Sequence, residues 1–141
     1  MQVHSYLNFN GRTDEALAFY QKAAGARVGM LMRFKDAPPQ PGMPDFPPER
    51  VMHCDFTIGA TVLMATDGME APHEGFKGFS LSIAADSDAE AEKLFAALSE
   101  GGKVTMPMGP SFFASRFGML QDRFGVEWMV VRSVPPTGQA G

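Results

Sequence analysis

The fold is decided by the stretch Val3–Tyr20, with the sequence VHSYLNFNGRTDEALAFY. Side chains over His4–Phe9 alternate between two faces, as in a β-strand. The pair Asn10-Gly11 is a turn signal, because both residues tolerate positive φ. An amphipathic helix follows, with Thr13 predicted as its N-cap and Gly25 as its C-cap. This stretch therefore predicts a strand, a turn and a helix.

A similar order returns at Phe79–Leu98, with the sequence FSLSIAADSDAEAEKLFAAL. Here Asp86–Asp88 form the predicted cap region, and Gly101-Gly102 end the helix. Three further strand patterns follow the helix in each half, so each half reads β-α-β-β-β. The sequence predicts an α+β fold in which two βαβββ modules form a curved mixed sheet shaped as a cup.

The remaining strands are bounded by turn residues. They are predicted at Arg27–Phe34, Val51–Ile58, Thr61–Thr66, Val104–Met106, Ala114–Gln121 and Val126–Arg132. The proline-rich stretch Lys35–Arg50 is predicted as an exposed loop, either a connector or a lid over the site.

We predict one domain over residues 1–134, with module one at 1–67, a linker at 68–77 and module two at 78–134. Residues 135–141 are predicted to be a disordered tail. In the second module, Asp122-Arg123-Phe124-Gly125 predicts a tight turn, and Trp128 is expected in the core.

Composition limits the possible functions. The 141 residues are 45% hydrophobic and carry a net charge of −4, with no basic run, so nucleic acid is not an expected partner. No segment approaches the roughly 20 apolar residues of a membrane span, and no signal peptide is visible. We therefore expect a cytoplasmic protein without a membrane partner.

Cys54 is the only cysteine, which excludes an intrachain disulfide framework and predicts a buried thiol.

Five pieces of the chain carry a resemblance to a known family. They are YLNFNGRTDEALAFY at Tyr6–Tyr20, VMHCDFTIG at Val51–Gly59, VLMATD at Val62–Asp67, GGKVTMP at Gly101–Pro107 and FGMLQDRFGVEWMV at Phe117–Val130. Together they resemble the vicinal oxygen chelate superfamily, which includes glyoxalase I, extradiol dioxygenases and bleomycin-resistance proteins. More narrowly, they resemble its PhnB-like branch. The resemblance implies paired modules with a site in the cup.

The resemblance also implies four metal-ligand positions, which here hold His4, Met64, Gly78 and Met129. His4 alone matches a ligand, because thioethers and glycine do not replace carboxylate and imidazole donors for Ni, Zn, Mn or Fe(II). We therefore expect no cofactor and no usual divalent metal, although a one-residue offset between His4 and Ser5 remains open.

The candidate ligand-pocket residues are His4, Tyr6, Asn8, Met64 and Met129. His53 and Asp55 are candidate catalytic residues, because they share one face of a strand and Asp55 could orient the imidazole as a general base. If that face points away from the cup, both are ordinary surface residues.

We expect a homodimeric protein that binds a small molecule without a metal, as the resemblance implies. The alternative is a metal-dependent lyase or dioxygenase with unusual ligands, such as His4 and His53 with Asp55 or Glu127. Proteins of this branch are often labelled demethylubiquinone methyltransferases. No glycine-rich loop after a strand and no alternating parallel βα pattern supports that activity here.

Overall fold

A computed structural model describes residues 1–38, 47–68 and 75–133. The chain divides into two compact units, residues 1–73 and 74–141, so the boundary falls inside the predicted linker at 68–77. Half of the predicted proline-rich loop, at 39–46, and the tail at 135–141 lie outside the described residues.

The first unit follows the predicted β-α-β-β-β order. Its elements are β1 Tyr6–Asn8, α1 Thr13–Ala24, β2 Arg27–Arg33, β3 Val51–Ile58 and β4 Thr61–Thr66. The strand order is β1-β4-β3-β2, in which β1 pairs parallel with β4 and the other pairs are antiparallel. The sheet is therefore mixed. The first strand is shorter than the predicted His4–Phe9 and leaves His4 outside the sheet.

One face of this sheet packs against α1. The Tyr20 ring of α1 stacks on Phe56 of β3, with ring centroids 6.1 Å apart, and Leu7 and Cys54 are buried on the same side. The burial of Cys54 confirms the prediction for its side chain. The opposite face of the sheet carries Tyr6, His53, Asp55 and Met64. We call it the first helix-free face.

The start of α1 differs from the prediction. Thr13 is the first helical residue and not the N-cap, and Arg12 at the cap position makes no capping bond with its side chain. The buried carboxylate of Asp67 accepts hydrogen bonds from the backbone N–H groups of Gly11 and Thr13, both at 2.9 Å. Its other oxygen accepts from the N–H of Val51 at 2.8 Å. The prediction was wrong because the acceptor comes from the end of a distant strand.

The second unit repeats the order. Its elements are β5 Leu81–Ala84, α2 Asp88–Ser99, β6 Lys103–Gly109, β7 Ala114–Gln121 and β8 Glu127–Ser133. The strand order is β5-β8-β7-β6, and β5 pairs parallel with β8. The α2 side of the sheet buries Trp128 and Val130, and a side chain at Gly118 would overlap the Phe95 ring of α2. Glycine is thus required where the helix approaches β7.

The ends of the helices follow local signals. Gly25 ends α1 in the left-handed conformation, with φ 67°, as predicted. The Ser87 hydroxyl accepts the N–H of Glu90 at 3.0 Å, which confirms the predicted cap region of α2. Both α-helices have 12 residues, and no helix in the described ranges is long and apolar enough to cross a membrane.

The strand β6 is longer than predicted. It runs through Pro107 to Gly109, whereas the sequence predicted an end at Met106. Proline is tolerated there because β6 is the last strand of its sheet and its pairing with β7 is irregular between Met106 and Gly109.

The predicted turn before β8 is confirmed, and it also fixes the only tryptophan. The Asp122 carboxylate accepts the N–H groups of Phe124 and Val126 at 2.9 and 3.0 Å. Its second oxygen accepts the indole N–H of Trp128 at 2.8 Å. Trp128 is 3% exposed, so it belongs to the core, as expected.

We predict that Asp67→Asn destabilises the protein by about 2–4 kcal/mol in urea unfolding. The amide is uncharged and has one acceptor oxygen in place of two. All three N–H groups therefore lose a charged acceptor, and at least one of them loses its acceptor altogether. The matched control is Asp86→Asn, at an exposed aspartate, which we expect to change stability by less than about 0.5 kcal/mol. Equal effects of the two substitutions would contradict the role given to Asp67.

Candidate functional site

A hydrogen-bonded pair of side chains lies on the first helix-free face. The Tyr6 hydroxyl and His53 Nδ1 are 2.8 Å apart, and their ring centroids are 5.5 Å apart. The strand order β1-β4-β3 brings them together, although they are 47 positions apart in the chain. Burial raises the pKa of the Tyr6 hydroxyl, so the phenol stays protonated at neutral pH.

Asp55 has a different partner from the one considered in the sequence. Its Oδ1 accepts the backbone N–H of Met30 at 3.1 Å, and His53 Nδ1 bonds to Tyr6 instead. A side chain at Gly29 would overlap the Asp55 carboxylate. Glycine at this position therefore lets the carboxylate pack directly against the backbone of β2. His53 and Asp55 share a face, but the imidazole is oriented by a phenol.

The other predicted pocket residues of the first unit occupy different places. Met64 lies in register between Tyr6 and Asp55, on the first helix-free face. Asn8 accepts the N–H of Asn10 at 2.9 Å and so supports the turn after β1. His4 is exposed and lies before the strand, with its Nε2 3.0 Å from the Gln2 side-chain oxygen.

In the second unit, Met129 belongs to a row of three methionines. Met106 is in register with Met119, and Met119 with Met129, so the row crosses β6, β7 and β8. Directly opposed residues on neighbouring strands have Cβ atoms about 4.5–5.5 Å apart. Because Trp128 and Val130 face α2, the row lies on the opposite side, which we call the second helix-free face.

The donor set does not match a usual divalent-metal site. Within the described part of the chain, no three His, Cys, Asp or Glu side chains lie close enough together to hold a metal ion. Gly78, at one of the four expected positions, precedes β5 with φ 81° and has no side chain to offer. Met64 and Met129 offer thioethers, which suit soft metals and not the hard ions of glyoxalase-type sites.

Sequence patterns missed two features of these faces. The alternation of side chains in the sequence assigns Tyr6 and His53 each to a face of its own strand. It does not show that the two residues are neighbours, because that depends on the order of the strands in the sheet. Likewise, the alternation within β7 and β8 was visible, whereas the alignment of Met106 with Met119 depends on an irregular register in β6. No local signal specifies either arrangement.

The fold is that of glyoxalase/bleomycin-resistance proteins. A glyoxylase/bleomycin resistance protein/dioxygenase domain from Frankia sp. EAN1pec superposes with a TM-score of 0.62 at 16% identity, covering 95% of this chain and 98% of that one. At this identity the likeness concerns architecture alone. The protein therefore has the vicinal oxygen chelate fold.

Residues 1–131 match the family model described as 3-demethylubiquinone-9 3-methyltransferase, and the chain belongs to this family, the PhnB-like branch of the superfamily. A PhnB protein from Bacillus cereus has a TM-score of 0.79 and 24% identity, over 94% of this chain and 100% of that one.

Two further proteins are similar to this chain over nearly all of its length. Protein PA1353 from Pseudomonas aeruginosa is 43% identical with a TM-score of 0.83, over 94% of this chain and 98% of that one. Protein YjdN from Escherichia coli strain K12 is 29% identical in an alignment 138 positions long, which covers 92% of this chain and 94% of that protein.

The buried Cys54 thiol gives a pH-dependent prediction. Burial raises its pKa to about 11 from an ordinary value of 9.0. The folded state therefore holds the thiol proton where the unfolded chain has lost it, so this contribution to stability decreases as pH rises through that interval.

Between pH 9 and 11, we expect the free energy of unfolding to fall more steeply in the wild type than in Cys54→Ala, by up to about 1.4 kcal/mol per pH unit. Urea unfolding of both proteins across this interval measures the difference. Lysines and tyrosines titrate in both proteins and cancel in the comparison, so parallel curves would contradict the assignment.

Proposed function

We propose that this protein binds a small, largely apolar molecule on the helix-free faces of its sheets, without the usual divalent metal. The observation that carries the proposal is the row Met106, Met119 and Met129. Met106 is 44% exposed, and the other two are partly exposed. Thioether side chains are flexible and polarisable, and they are common on surfaces that accept varied apolar ligands.

Each helix-free face, taken by itself, suits such a ligand. The second carries the methionine row, and the first carries Met64 beside the Tyr6–His53 pair. Small-molecule sites typically combine a mostly apolar lining with a few polar groups that fix orientation. This composition supports binding of a molecule with a large apolar part and few polar atoms.

The donor chemistry supports a metal-free mode of binding. His53 Nδ1 is engaged with Tyr6, and the Asp55 carboxylate is held by the Met30 N–H. Among the described residues, no third His, Cys, Asp or Glu side chain lies close enough to complete a metal site with these two. The vicinal oxygen chelate reactions that need a Lewis acid or a redox metal are therefore not part of the proposal.

Methyl transfer, which the family description names, is also not part of the proposal. Each described unit has a mixed sheet with one α-helix, and no strand leads through a glycine-rich loop into a helix. Nucleotide-like cofactors usually bind to that loop in parallel α/β folds. The topology supports a binding function better than a cofactor-dependent transfer.

We further propose a homodimer, as the resemblance implies. The strand β6 is at the edge of its sheet, and pairing with a second chain would cover the unpaired backbone groups of such an edge. Sedimentation velocity of the full chain distinguishes a dimer from a monomer.

We predict that Met106→Glu weakens binding of the neutral dye Nile red by roughly tenfold, about 1.4 kcal/mol. The carboxylate would have to lose water beside an apolar ligand. Dye fluorescence titrated with protein measures the affinity. The matched control is Val104→Glu, on the same strand with the same 44% exposure, but in register with Leu120 on the α2 side.

The control should bind the dye as the wild type does. Equal weakening by both substitutions would mean that any negative charge on β6 repels the dye, and no weakening by Met106→Glu would remove the methionine row from the site.

For the metal-free state, we predict much less than one metal ion per chain after loading with Ni, Zn, Mn and Fe(II) and desalting. Elemental analysis measures the retained metal. The control is a vicinal oxygen chelate protein with an intact ligand set, taken through the same steps.

Stoichiometric retention would overturn the metal-free proposal. The metal-dependent lyase or dioxygenase would then become the leading function, and loss of the metal in His53→Ala would identify His53 as a ligand.

A further inference from the structure

The hydrogen bond between Tyr6 and His53 bears on which nitrogen of the imidazole holds the proton. The neutral imidazole has one N–H group, and the partner of Nδ1 decides which nitrogen holds the proton. A phenol is a much stronger acid than a neutral imidazole N–H group. On this ground we assign Tyr6 as the donor and His53 Nδ1 as the acceptor in the 2.8 Å bond. The imidazole proton then resides on Nε2.

The second imidazole nitrogen is available to a ligand. Among the described residues, none forms a hydrogen bond with His53 Nε2. This atom is also not among the buried polar atoms that lack a partner, so it is in contact with solvent. The N–H group on Nε2 is thus a donor that the protein orients but does not use.

The surroundings of this donor define the ligand chemistry. Met32 on β2 is in register with His53, and Met64 lies on the same face, so two methionines share the face with this donor. The Asp55 carboxylate lies on this face two positions after His53 in the strand. Its negative charge would repel a negatively charged ligand. A neutral acceptor fits this setting better than a carboxylate or phosphate.

We infer that His53, held by Tyr6, donates from Nε2 to a carbonyl oxygen of an uncharged, largely apolar ligand on the first helix-free face. This inference rests on the proposed binding function and specifies the chemical class of the ligand. Tyr6 is a positioning residue in this arrangement, and His53 is the group that contacts the ligand.

The tautomer is tested directly by long-range ¹H–¹⁵N correlation spectra of the imidazoles at pH about 8. The protein has three histidines, and His4→Ala and His53→Phe assign the signals. We expect His53 to carry its proton on Nε2, with an Nδ1 resonance displaced by the accepted hydrogen bond. The displacement should disappear in Tyr6→Phe. A proton on Nδ1 would overturn the inference.

The ligand class is tested with benzamide and benzoate, which have the same ring but differ in charge. We expect benzamide to shift the His53 ring signals saturably and benzoate to bind at least tenfold more weakly. His53→Phe should reduce benzamide binding at least tenfold, whereas Asp86→Asn, at an exposed position of the second unit, should leave it unchanged. Preference for benzoate, or benzamide binding unaffected by His53→Phe, would overturn the inference.

Failure of this inference is distinguishable from failure of the proposed function. If Nile red binding depends on Met106 but benzamide is insensitive to His53, the binding function stands and the assignment of its donor is wrong. If neither probe binds to the folded protein, both fail. Unchanged Trp128 fluorescence and amide spectra verify that each variant is folded.

Discussion

The Asp67 carboxylate is the interaction on which the first unit depends. It follows the last residue of β4 and is 2% exposed, yet it accepts backbone N–H groups from the start of α1 and the start of β3. One side chain thus joins the helix to two strands. A buried carboxylate is costly unless it is well hydrogen-bonded, and three N–H donors meet that condition.

The second unit also contains a buried carboxylate that accepts three hydrogen bonds, at a different position in the fold. Asp122, 3% exposed, lies after β7 and accepts two backbone N–H groups and the Trp128 indole. Asp67 stabilises the start of a helix, whereas Asp122 stabilises a turn and anchors a large core side chain. The two units share an element order, but their buried carboxylates lie at different strand ends.

The position of the helix divides each sheet into two chemically different faces. Helix-side residues such as Phe56 and Trp128 are buried and set the packing. The opposite faces keep half-exposed Met, Tyr and His side chains that contribute little to the core. Function in this fold is therefore free to change on the helix-free faces while the helix side preserves stability.

The sequence by itself determined the element order, the strand Val51–Ile58, the left-handed end of α1 at Gly25 and the turn at Asp122. These features depend on alternation, helical spacing and turn residues, which act over a few positions. It did not determine the capping of α1, the extension of β6 through Pro107 or the Tyr6–His53 bond. Only the tertiary structure decided those, because strand order and register arise from contacts between distant segments, and these contacts choose which side chains become neighbours.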